Sequence, residues 1–311
     1  MNGVEESSRR TDRTLGNDGG FDRSAWLLAA RPRTLALAIG PIAVGTAVAA
    51  IERGARVIPA LAALLGAVLL QLGSNFANDV YDFENGVDTD DRVGPARATQ
   101  LGLLSPEQMH RGMWLVFGGA TLVGFYLVAV AGWPIIAIGM ASILVAVAYT
   151  GGPWPLGYHG LGDPMVFLFF GIIAVMGATY VQTLEASMLA FVASIPVGAL
   201  ATATLVVNNV RDRETDERSG KRTLAVRLGD RGGRLEYLAL LALAYGVPFL
   251  CYFVFERSAW IFLPLVTLPL AYPLLNQVLA DSDGPTMNEA LGSTARLGMI
   301  FALLFALGLW L

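Results

Sequence analysis

Residues 57–82, VIPALAALLGAVLLQLGSNFANDVYD, begin as an apolar run and end in a cluster of asparagine and aspartate. Residues 188–216, MLAFVASIPVGALATATLVVNNVRDRETD, show the same change from apolar to polar. The apolar part of each stretch reaches the roughly 20 residues that a helix needs to cross the hydrocarbon core of a bilayer. Each stretch therefore predicts a transmembrane helix with a polar patch where the hydrophobic run ends.

The whole chain has the composition of a membrane protein. Its mean hydropathy is +0.57, and only 15% of its residues are charged, against about 25% in soluble domains. The hydrophobic runs predict an all-α, polytopic membrane protein with nine transmembrane helices. These predicted spans cover approximately residues 26–51, 57–77, 112–131, 134–149, 164–182, 188–207, 235–255, 259–279 and 290–311.

The positions of the 21 basic residues predict the orientation of the chain. All but Arg53, Arg56 and Arg257 fall on the N-terminal side of helix 1, in the loops after helices 2 and 6, or at the start of helix 9. Because short cytoplasmic loops retain lysine and arginine, the N-terminus and both polar patches are predicted to be cytoplasmic.

The expected organisation is a cytoplasmic tail followed by one membrane domain. Residues 1–24 are polar and predict a disordered tail rather than a signal peptide, and residues 25–311 form the transmembrane domain. Long loops follow helices 2 and 6, which suggests a pseudo-repeat of helices 1–4 and 5–8 with helix 9 added. In the first loop, a turn-rich stretch over the patch resembles a lid, and Ser105-Pro106-Glu107-Gln108 predicts a helix start with a capping box.

Each polar patch places its acceptor side chains on one face of a helix. These side chains are Asn75, Asn78, Asp79 and Asp82 in the first patch, and Asn208, Asp212 and Asp216 in the second. Neighbouring acceptor side chains repel one another and gain nothing from lipid, so such a face is unfavourable unless a cation binds to it. The alternative for either patch alone is a solvated helix end with ordinary capping residues. Two similar patches on one side of the membrane favour a shared site, and oxygen ligands beside a phosphate substrate select Mg²⁺.

Basic residues near the patches are candidates for binding a diphosphate group. Lys221, the only lysine in the chain, follows the second patch directly. Arg92, Arg97 and Arg211 are further candidates, while a solvated loop position remains the alternative for Lys221. The sequence contains no P-loop, Rossmann glycine pattern or zinc-protease motif, and its single Cys251 excludes an internal disulfide.

Several segments together resemble the UbiA superfamily of intramembrane aromatic prenyltransferases, over about residues 26–311. These segments are Asn78-Asp79-x-x-Asp82 and Asp212-x-x-x-Asp216, with the surrounding residues 73–88, 92–95, 149–152, 157–163 and 208–229. Within the superfamily, residues 149–163 most resemble the branch that prenylates 1,4-dihydroxy-2-naphthoate in menaquinone synthesis.

The resemblance implies helices around a central cavity, a bacterial plasma-membrane location, and a polyprenyl diphosphate and a dihydroxynaphthoate-type acceptor as substrates. It implies a metal-binding role for four aspartates, Asp79, Asp82, Asp212 and Asp216. The asparagines Asn75, Asn78 and Asn209 would support these ligands. Lys221 and Arg92 would bind the diphosphate. Many superfamily members carry a third aspartate where this chain has Gly86. His159 is the only basic residue among residues 151–162. The resemblance therefore does not identify the basic side chain that binds the carboxylate of the acceptor.

Three residues around the predicted fourth and fifth helices have two interpretations each. Tyr149, Tyr158 and Asp163 are candidates for holding the acceptor ring or accepting a proton, or they are interfacial tyrosines and a helix cap. Another aromatic acceptor, such as 4-hydroxybenzoate or homogentisate, is an alternative within the same class. A cation-coupled transporter is the alternative from another class, but transporters place ionisable groups near the midplane, whereas these carboxylates lie at helix ends. Nothing in the sequence indicates a nucleic-acid or obligate protein partner.

Overall fold

The computed structural model describes residues 22–87, 93–280 and 283–311. In these ranges all regular secondary structure is helical. Most of the predicted tail, residues 1–21, and the candidate Arg92 lie outside the described residues. The helices are α1 (Arg23–Ala30), α2 (Ile39–Glu52), α3 (Val57–Glu84), α4 (Pro106–Ala131), α5 (Pro134–Ala148), α6 (Gly162–Thr183), α7 (Met188–Arg211), α8 (Arg213–Arg218), α9 (Leu224–Val254), α10 (Ala259–Leu279) and α11 (Gly284–Trp310).

The described helices match the predicted polytopic membrane fold. Seven of them, α3, α4, α6, α7, α9, α10 and α11, are long and apolar enough to cross a membrane. The shorter apolar helices α2 and α5 lie within the first and fourth predicted spans. The all-α class is confirmed, and the number of nine full spans stays a prediction because α2 and α5 are short.

The prediction of one continuous helix over residues 26–51 is wrong. Helix α1 ends at Ala30, and Arg31 has the left-handed backbone angles φ 49° and ψ 68°. A short helical turn, Pro32–Leu35, and a 3₁₀ turn, Ala36–Ala38, follow before α2 begins. The break lies at a proline, which disfavours helical geometry in the residue before it.

Helix α7 is the centre of the fold. Of its most apolar window, 83% is buried inside the protein, against 17% for α3. It packs against α2, α6, α9 and α11. Because α7 is sequestered from lipid, the polar residues at its end face protein groups and the central cavity.

A close approach of two backbones fixes α6 against α7. A Cβ atom at Gly171 would lie 2.6 Å from Cα of Gly198, so neither position has room for a side chain. Gly171 lies in a π-helical segment, Phe167–Ile173, and such segments are frequent at functional sites. This contact sets the distance between α7 and the loop that precedes α6.

Helix α4 begins where the sequence predicts it. The Ser105 hydroxyl accepts a hydrogen bond from the Gln108 backbone N–H, and the Gln108 side chain accepts one from the Ser105 backbone N–H. This is the predicted capping box, and the helix continues without a break to Ala131. The predicted helix start at Ser105 and the apolar span that follows it are therefore parts of one helix.

Candidate active site

Helix α3 continues through the first polar patch and ends just after it. Gly86 N–H donates to Phe83 C=O and Val87 N–H donates to Asp82 C=O, at 3.0 and 2.9 Å. These bonds form a Schellman motif with Gly86 at the left-handed position, φ 69°. Position 86, where many superfamily members carry a third aspartate, is thus a helix-terminating glycine in this chain.

The second polar patch ends in the same way. Asp212 lies between α7 and α8, and Asp216 lies in α8. Gly220, with φ 80°, is the left-handed residue, and Lys221 N–H donates to Asp216 C=O at 2.8 Å. This Schellman motif brings the Lys221 side chain back to Asp216, with 3.6 Å between Nζ and Oδ1.

The loop before α6 joins the two patches. Tyr158 donates its hydroxyl to Asp82 Oδ1 at 2.6 Å, and its carbonyl accepts from Arg222 N–H at 2.9 Å. Lys221 Nζ lies 5.5 Å from the centre of the Tyr158 ring. The predicted meeting of two segments far apart in sequence is therefore present in the structure.

Three of the four predicted aspartates have a basic partner. Arg97 Nη2 lies 2.5 Å from Asp82 Oδ2, and Lys221 approaches Asp216 as described above. Arg211 donates Nε and Nη2 to the two carboxylate oxygens of Asp212, at 2.7 and 2.6 Å. Acidic and basic side chains thus alternate around the site, which neutralises it when neither a cation nor an anion is bound.

The donor set fits a hard divalent cation. Asp216 is 4% exposed, and its Oδ2 has no hydrogen-bond partner among the described residues. Burial raises the pKa of the Asp216 carboxyl to about 6, although Lys221 opposes the shift. A buried carboxylate oxygen without a partner is unfavourable, and a divalent ion would satisfy it. As the side chains stand, no three acidic, histidine or cysteine groups in the described ranges are close enough to hold one ion.

Two residues of the first patch bind protein groups. Asn75 donates to Ala30 C=O at 2.8 Å and to Thr34 Oγ1 at 3.1 Å, which ties the segment after α1 to α3. Asp79, 1% exposed, accepts backbone N–H bonds from Ala98 and Thr99. The carboxylate of Asp79 therefore faces a loop, and Asp82 is the aspartate of this patch that lines the central cavity.

Further predicted residues line or support the cavity. Asn78, Tyr149, Asn208, Asn209 and Lys221 contribute to its polar end. Asp163 is buried outside the lining, and the Asn209 amide donates to its Oδ1 at 3.5 Å. Burial raises the pKa of both the Tyr149 and the Tyr158 hydroxyls above the ordinary tyrosine range. Both tyrosines are therefore neutral hydrogen-bond donors at physiological pH.

Asn288 of α11 belongs to the site but has no counterpart in the sequence predictions. Its Oδ1 accepts from Arg211 Nη1 at 2.6 Å, its Nδ2 donates to Val93 C=O at 3.3 Å, and it lines the cavity. The only signal in the sequence is a single polar residue before the last apolar run. That signal is too weak to separate a site residue from an ordinary helix start.

The polar residues close one end of a large apolar cavity. Its volume is about 970 Å³. The side chains that line its apolar part come from α1 to α7 and from α11, and include Ile42, Leu70, Leu127, Ile143 and Phe169. The cavity offers a charged end for a diphosphate group and an apolar compartment for a long hydrocarbon.

The fold and the site define a class: an all-helical membrane protein in which two acidic helix ends share one cavity with basic residues. The model of the UbiA prenyltransferase family matches residues 38–300. This chain belongs to the UbiA prenyltransferase family.

Individual relatives refine this assignment. A 1,4-dihydroxy-2-naphthoate octaprenyltransferase of Mycobacterium tuberculosis is 39% identical over 281 residues, which cover 90% of this chain and 95% of the relative. The enzyme of the same name from Escherichia coli is 38% identical over 294 residues, covering 92% and 95%. This chain is thus similar to naphthoate prenyltransferases over almost its entire length.

Solved structures share the fold. A UbiA homologue from Archaeoglobus fulgidus bound to GPP and Mg²⁺ has a TM-score of 0.62 at 15% identity, and the alignment covers 90% of this chain and 99% of that one. A UbiA homologue from Aeropyrum pernix K1 has a TM-score of 0.67 at 14% identity, covering 90% and 97%. At these identities the comparison shows a common helical architecture.

Proposed function

We propose that this protein transfers a polyprenyl group from polyprenyl diphosphate to 1,4-dihydroxy-2-naphthoate, with loss of diphosphate and CO₂, to give the hydroquinone form of demethylmenaquinone. The proposal is carried by the position of the charged residues. Asp82, Arg97, Arg211 and Lys221 line one end of an apolar cavity, and Asp212 and Asp216 line a small adjoining pocket that shares Arg97 and Lys221 with it. The similarity to naphthoate prenyltransferases at 38–39% identity supports this choice of acceptor. The distribution of basic residues supports a site on the cytoplasmic side of a bacterial membrane.

The residues of this chain divide between the metal and the diphosphate. Asp82, Asp212 and Asp216 would hold Mg²⁺, which supplies Lewis-acid stabilisation of the charge on the departing diphosphate. Lys221 and Arg97 are placed to bind the diphosphate oxygens directly, since both line the cavity beside these carboxylates.

Cleavage of the allylic C–O bond leaves a carbocation-like carbon that the electron-rich naphthoate ring attacks. Tyr149 lines the cavity, and its aromatic ring is a candidate to stabilise positive charge there. Attack at the carboxyl-bearing carbon is followed by loss of CO₂, which restores the aromatic ring. The apolar walls exclude water, which would otherwise capture the cation.

The apolar cavity also explains why the enzyme is a membrane protein. Each buried CH₂ group of a polyprenyl chain contributes about 0.8 kcal/mol, so a long-chain donor partitions into the bilayer. A cavity lined by helices lets the diphosphate reach the polar end while the tail stays in an apolar environment.

Purified enzyme with one polyprenyl diphosphate and each of three acceptors tests the proposal. We expect a prenylated, decarboxylated product from 1,4-dihydroxy-2-naphthoate and none from 4-hydroxybenzoate or homogentisate, measured by mass spectrometry with CO₂ release. Product from only one of the other two acceptors would reject the choice of substrate. Solute flux into proteoliposomes without diphosphate release would reject a transferase altogether.

Narrowing the apolar cavity should affect long donors more than short ones. Gly124 of α4 lines the cavity and has open space around its Cα. We expect Gly124→Leu to lower kcat/KM for a long polyprenyl diphosphate by about tenfold, because roughly 1.4 kcal/mol of lost burial or strain corresponds to that factor. The kcat/KM for geranyl diphosphate, a short donor, should change much less.

Gly118 provides the matched control on the same helix. It also has open space around it, but it is exposed on the outer face of α4 and does not line the cavity. Gly118→Leu should leave both donors unaffected. Two results would show that the cavity does not hold the tail. One is an equal effect of Gly124→Leu and Gly118→Leu on kcat/KM, and the other is an equal loss of kcat/KM with short and long donors in Gly124→Leu.

The pairing of Lys221 with Asp216 predicts opposite effects of one substitution on two ligands. At a pH well above the raised pKa of the Asp216 carboxyl, the site without the ammonium group carries one more net negative charge, so Lys221→Met should bind Mn²⁺ alone several-fold more tightly. The same variant should bind inorganic diphosphate about tenfold more weakly, because a charged hydrogen-bond donor is lost. Electron paramagnetic resonance of free Mn²⁺ and calorimetry with diphosphate measure the two affinities.

Arg218→Gln is the control for this experiment. Arg218 is an exposed cation of the same region, and in the described structure its side chain donates a hydrogen bond to the Glu214 carbonyl. Its substitution should change neither affinity. A parallel fall of both affinities in Lys221→Met would contradict the assignment of Lys221 to the anion.

A further inference from the structure

Asp79 caps a single helical turn in the loop between α3 and α4. Leu101 N–H donates to Arg97 C=O at 3.0 Å, so residues 98–100 form one turn of helix. The first N–H groups of such a turn have no partner within it. Asp79 supplies that partner, because its Oδ2 accepts from Ala98 N–H at 3.1 Å and its Oδ1 accepts from Thr99 N–H at 3.0 Å.

The capped turn begins immediately after Arg97. The Arg97 side chain is 6% exposed, reaches Asp82 Oδ2 at 2.5 Å and donates Nη1 to the Asn78 carbonyl. Arg97 and Lys221 line both the large cavity and a small adjoining pocket, and Asp216 lines that pocket. The position of this guanidinium depends on where the loop backbone is held, and Asp79 holds the two residues that follow it.

Asp79 itself is separated from the cavity. Its side chain is buried at 1% exposure, and it is not among the residues that line the cavity, whereas Asn78 and Asp82 on the same helix are. Each of its carboxylate oxygens already accepts a charge-assisted hydrogen bond. Each oxygen keeps a second lone pair, but an ion bound there would lie away from the cavity in which the diphosphate binds.

We infer that Asp79 is a positioning residue that acts through Arg97, and that it does not ligate the metal. The inference rests on the proposed function, in which Arg97 binds the diphosphate of the prenyl donor. Asp79 then affects donor binding through the loop, and Asp82 is the metal-binding aspartate contributed by α3.

Asp79→Asn tests this role because the two residues have the same shape. The asparagine amide retains one acceptor oxygen but directs an NH₂ group at the second backbone N–H. We expect KM for the prenyl diphosphate to rise about tenfold, the usual cost of losing one charge-assisted hydrogen bond. Mn²⁺ binding in the presence of inorganic diphosphate, followed by electron paramagnetic resonance, should keep its stoichiometry, whereas Asp82→Asn should lose bound Mn²⁺.

Two comparisons separate positioning from a general loss of structure. In an Arg97→Gln background, Asp79→Asn should add no more than about a twofold effect, because the residue through which it acts is already absent. Ala98→Pro removes one of the two N–H donors while proline remains compatible with the first position of a helical turn. It should raise KM for the donor as Asp79→Asn does, although Asp79 itself is unchanged.

Each result has a defined meaning. Loss of Mn²⁺ stoichiometry in Asp79→Asn, or multiplicative effects of Asp79→Asn and Arg97→Gln, would overturn the positioning role. A normal donor KM in Ala98→Pro would also overturn it, and this variant decides the matter if Asp79→Asn does not fold. Failure of the unaltered enzyme to prenylate any acceptor would instead reject the proposed function, so the two failures are distinguishable.

Discussion

Asp82→Asn is expected to lower kcat by about a hundred- to a thousandfold, the range typical for removing one preorganised group that stabilises transition-state charge. The carboxylate of Asp82 lies at the polar end of the cavity and contacts Arg97 and the Tyr158 hydroxyl at 2.5 and 2.6 Å. Asparagine keeps the shape of the side chain but removes the negative charge. Single-turnover measurements with saturating donor and Mg²⁺ give the effect on the chemical step directly.

Glu84→Gln is the matched control for this substitution. Glu84 lies in the last turn of the same helix, and its partner is His110 of α4, with Oε1 and Nε2 2.9 Å apart. Its side chain is 41% exposed, and the residue does not line the cavity. Near-wild-type turnover in Glu84→Gln together with a large loss in Asp82→Asn would locate the effect at the cavity. Equal losses in both variants would contradict a specific role for Asp82.

Removal of divalent cations is expected to have the second large effect. A metal ion that stabilises a departing diphosphate contributes several kcal/mol, which corresponds to a loss of about a thousandfold in turnover when it is absent. Dialysis of the purified enzyme against EDTA, followed by assay with and without added Mg²⁺, measures this loss. Turnover should return with Mg²⁺ in the same preparation, which shows that the protein remained folded.

The basic residues of the site give the expected behaviour of the metal-free enzyme. Arg97 and Lys221 are expected to attract the donor diphosphate still, but Asp212 and Asp216 then repel it without a bridging ion. We therefore expect the donor to bind weakly and without reaction after EDTA treatment. Undiminished turnover in EDTA would contradict the assignment of these carboxylates to a metal.

Much of the fold follows from the order of apolar and polar residues. The apolar segments of the seven long helices, the helix start at Ser105 and the convergence of the two acidic patches were predictable, because each follows from the local order of apolar and polar residues. The break after Ala30 was not, because an apolar run does not reveal that Arg31 adopts a left-handed conformation before Pro32. Hydropathy therefore predicts which segments enter the bilayer better than it predicts whether they are continuous helices.

Asp79 shows why helical periodicity overestimates the set of site residues. Asn78, Asp79 and Asp82 share a broad helix face, so spacing alone assigns all three to one site. The face is wide enough to meet two neighbours, and Asp79 at its edge turns toward the loop at Ala98 while Asp82 turns toward the cavity. Only the tertiary position of that loop separates the two roles.

Asn288 belongs to the site, although helical periodicity did not predict it. It comes from a helix without an acidic motif, yet it accepts from Arg211 and donates to the carbonyl of Val93. Its contribution depends on how α11 packs against α7, which sequence spacing does not report. Residues that complete a site from a distant helix are therefore the ones that a single sequence reveals least.

In the proposed mechanism, α3 and the α7–α8 junction bind one diphosphate between them through divalent cations. An experimental structure of the enzyme with Mn²⁺ and farnesyl thiodiphosphate, a poorly cleaved donor analogue, tests it most directly. We expect anomalous Mn²⁺ peaks within coordination distance of Asp82 and of Asp212 or Asp216, about 2.0–2.4 Å, with the diphosphate between them and Asp79 still bound to the Ala98 loop. Peaks at Asp79, or a diphosphate bound away from Asp82 and Asp216, would contradict the claim.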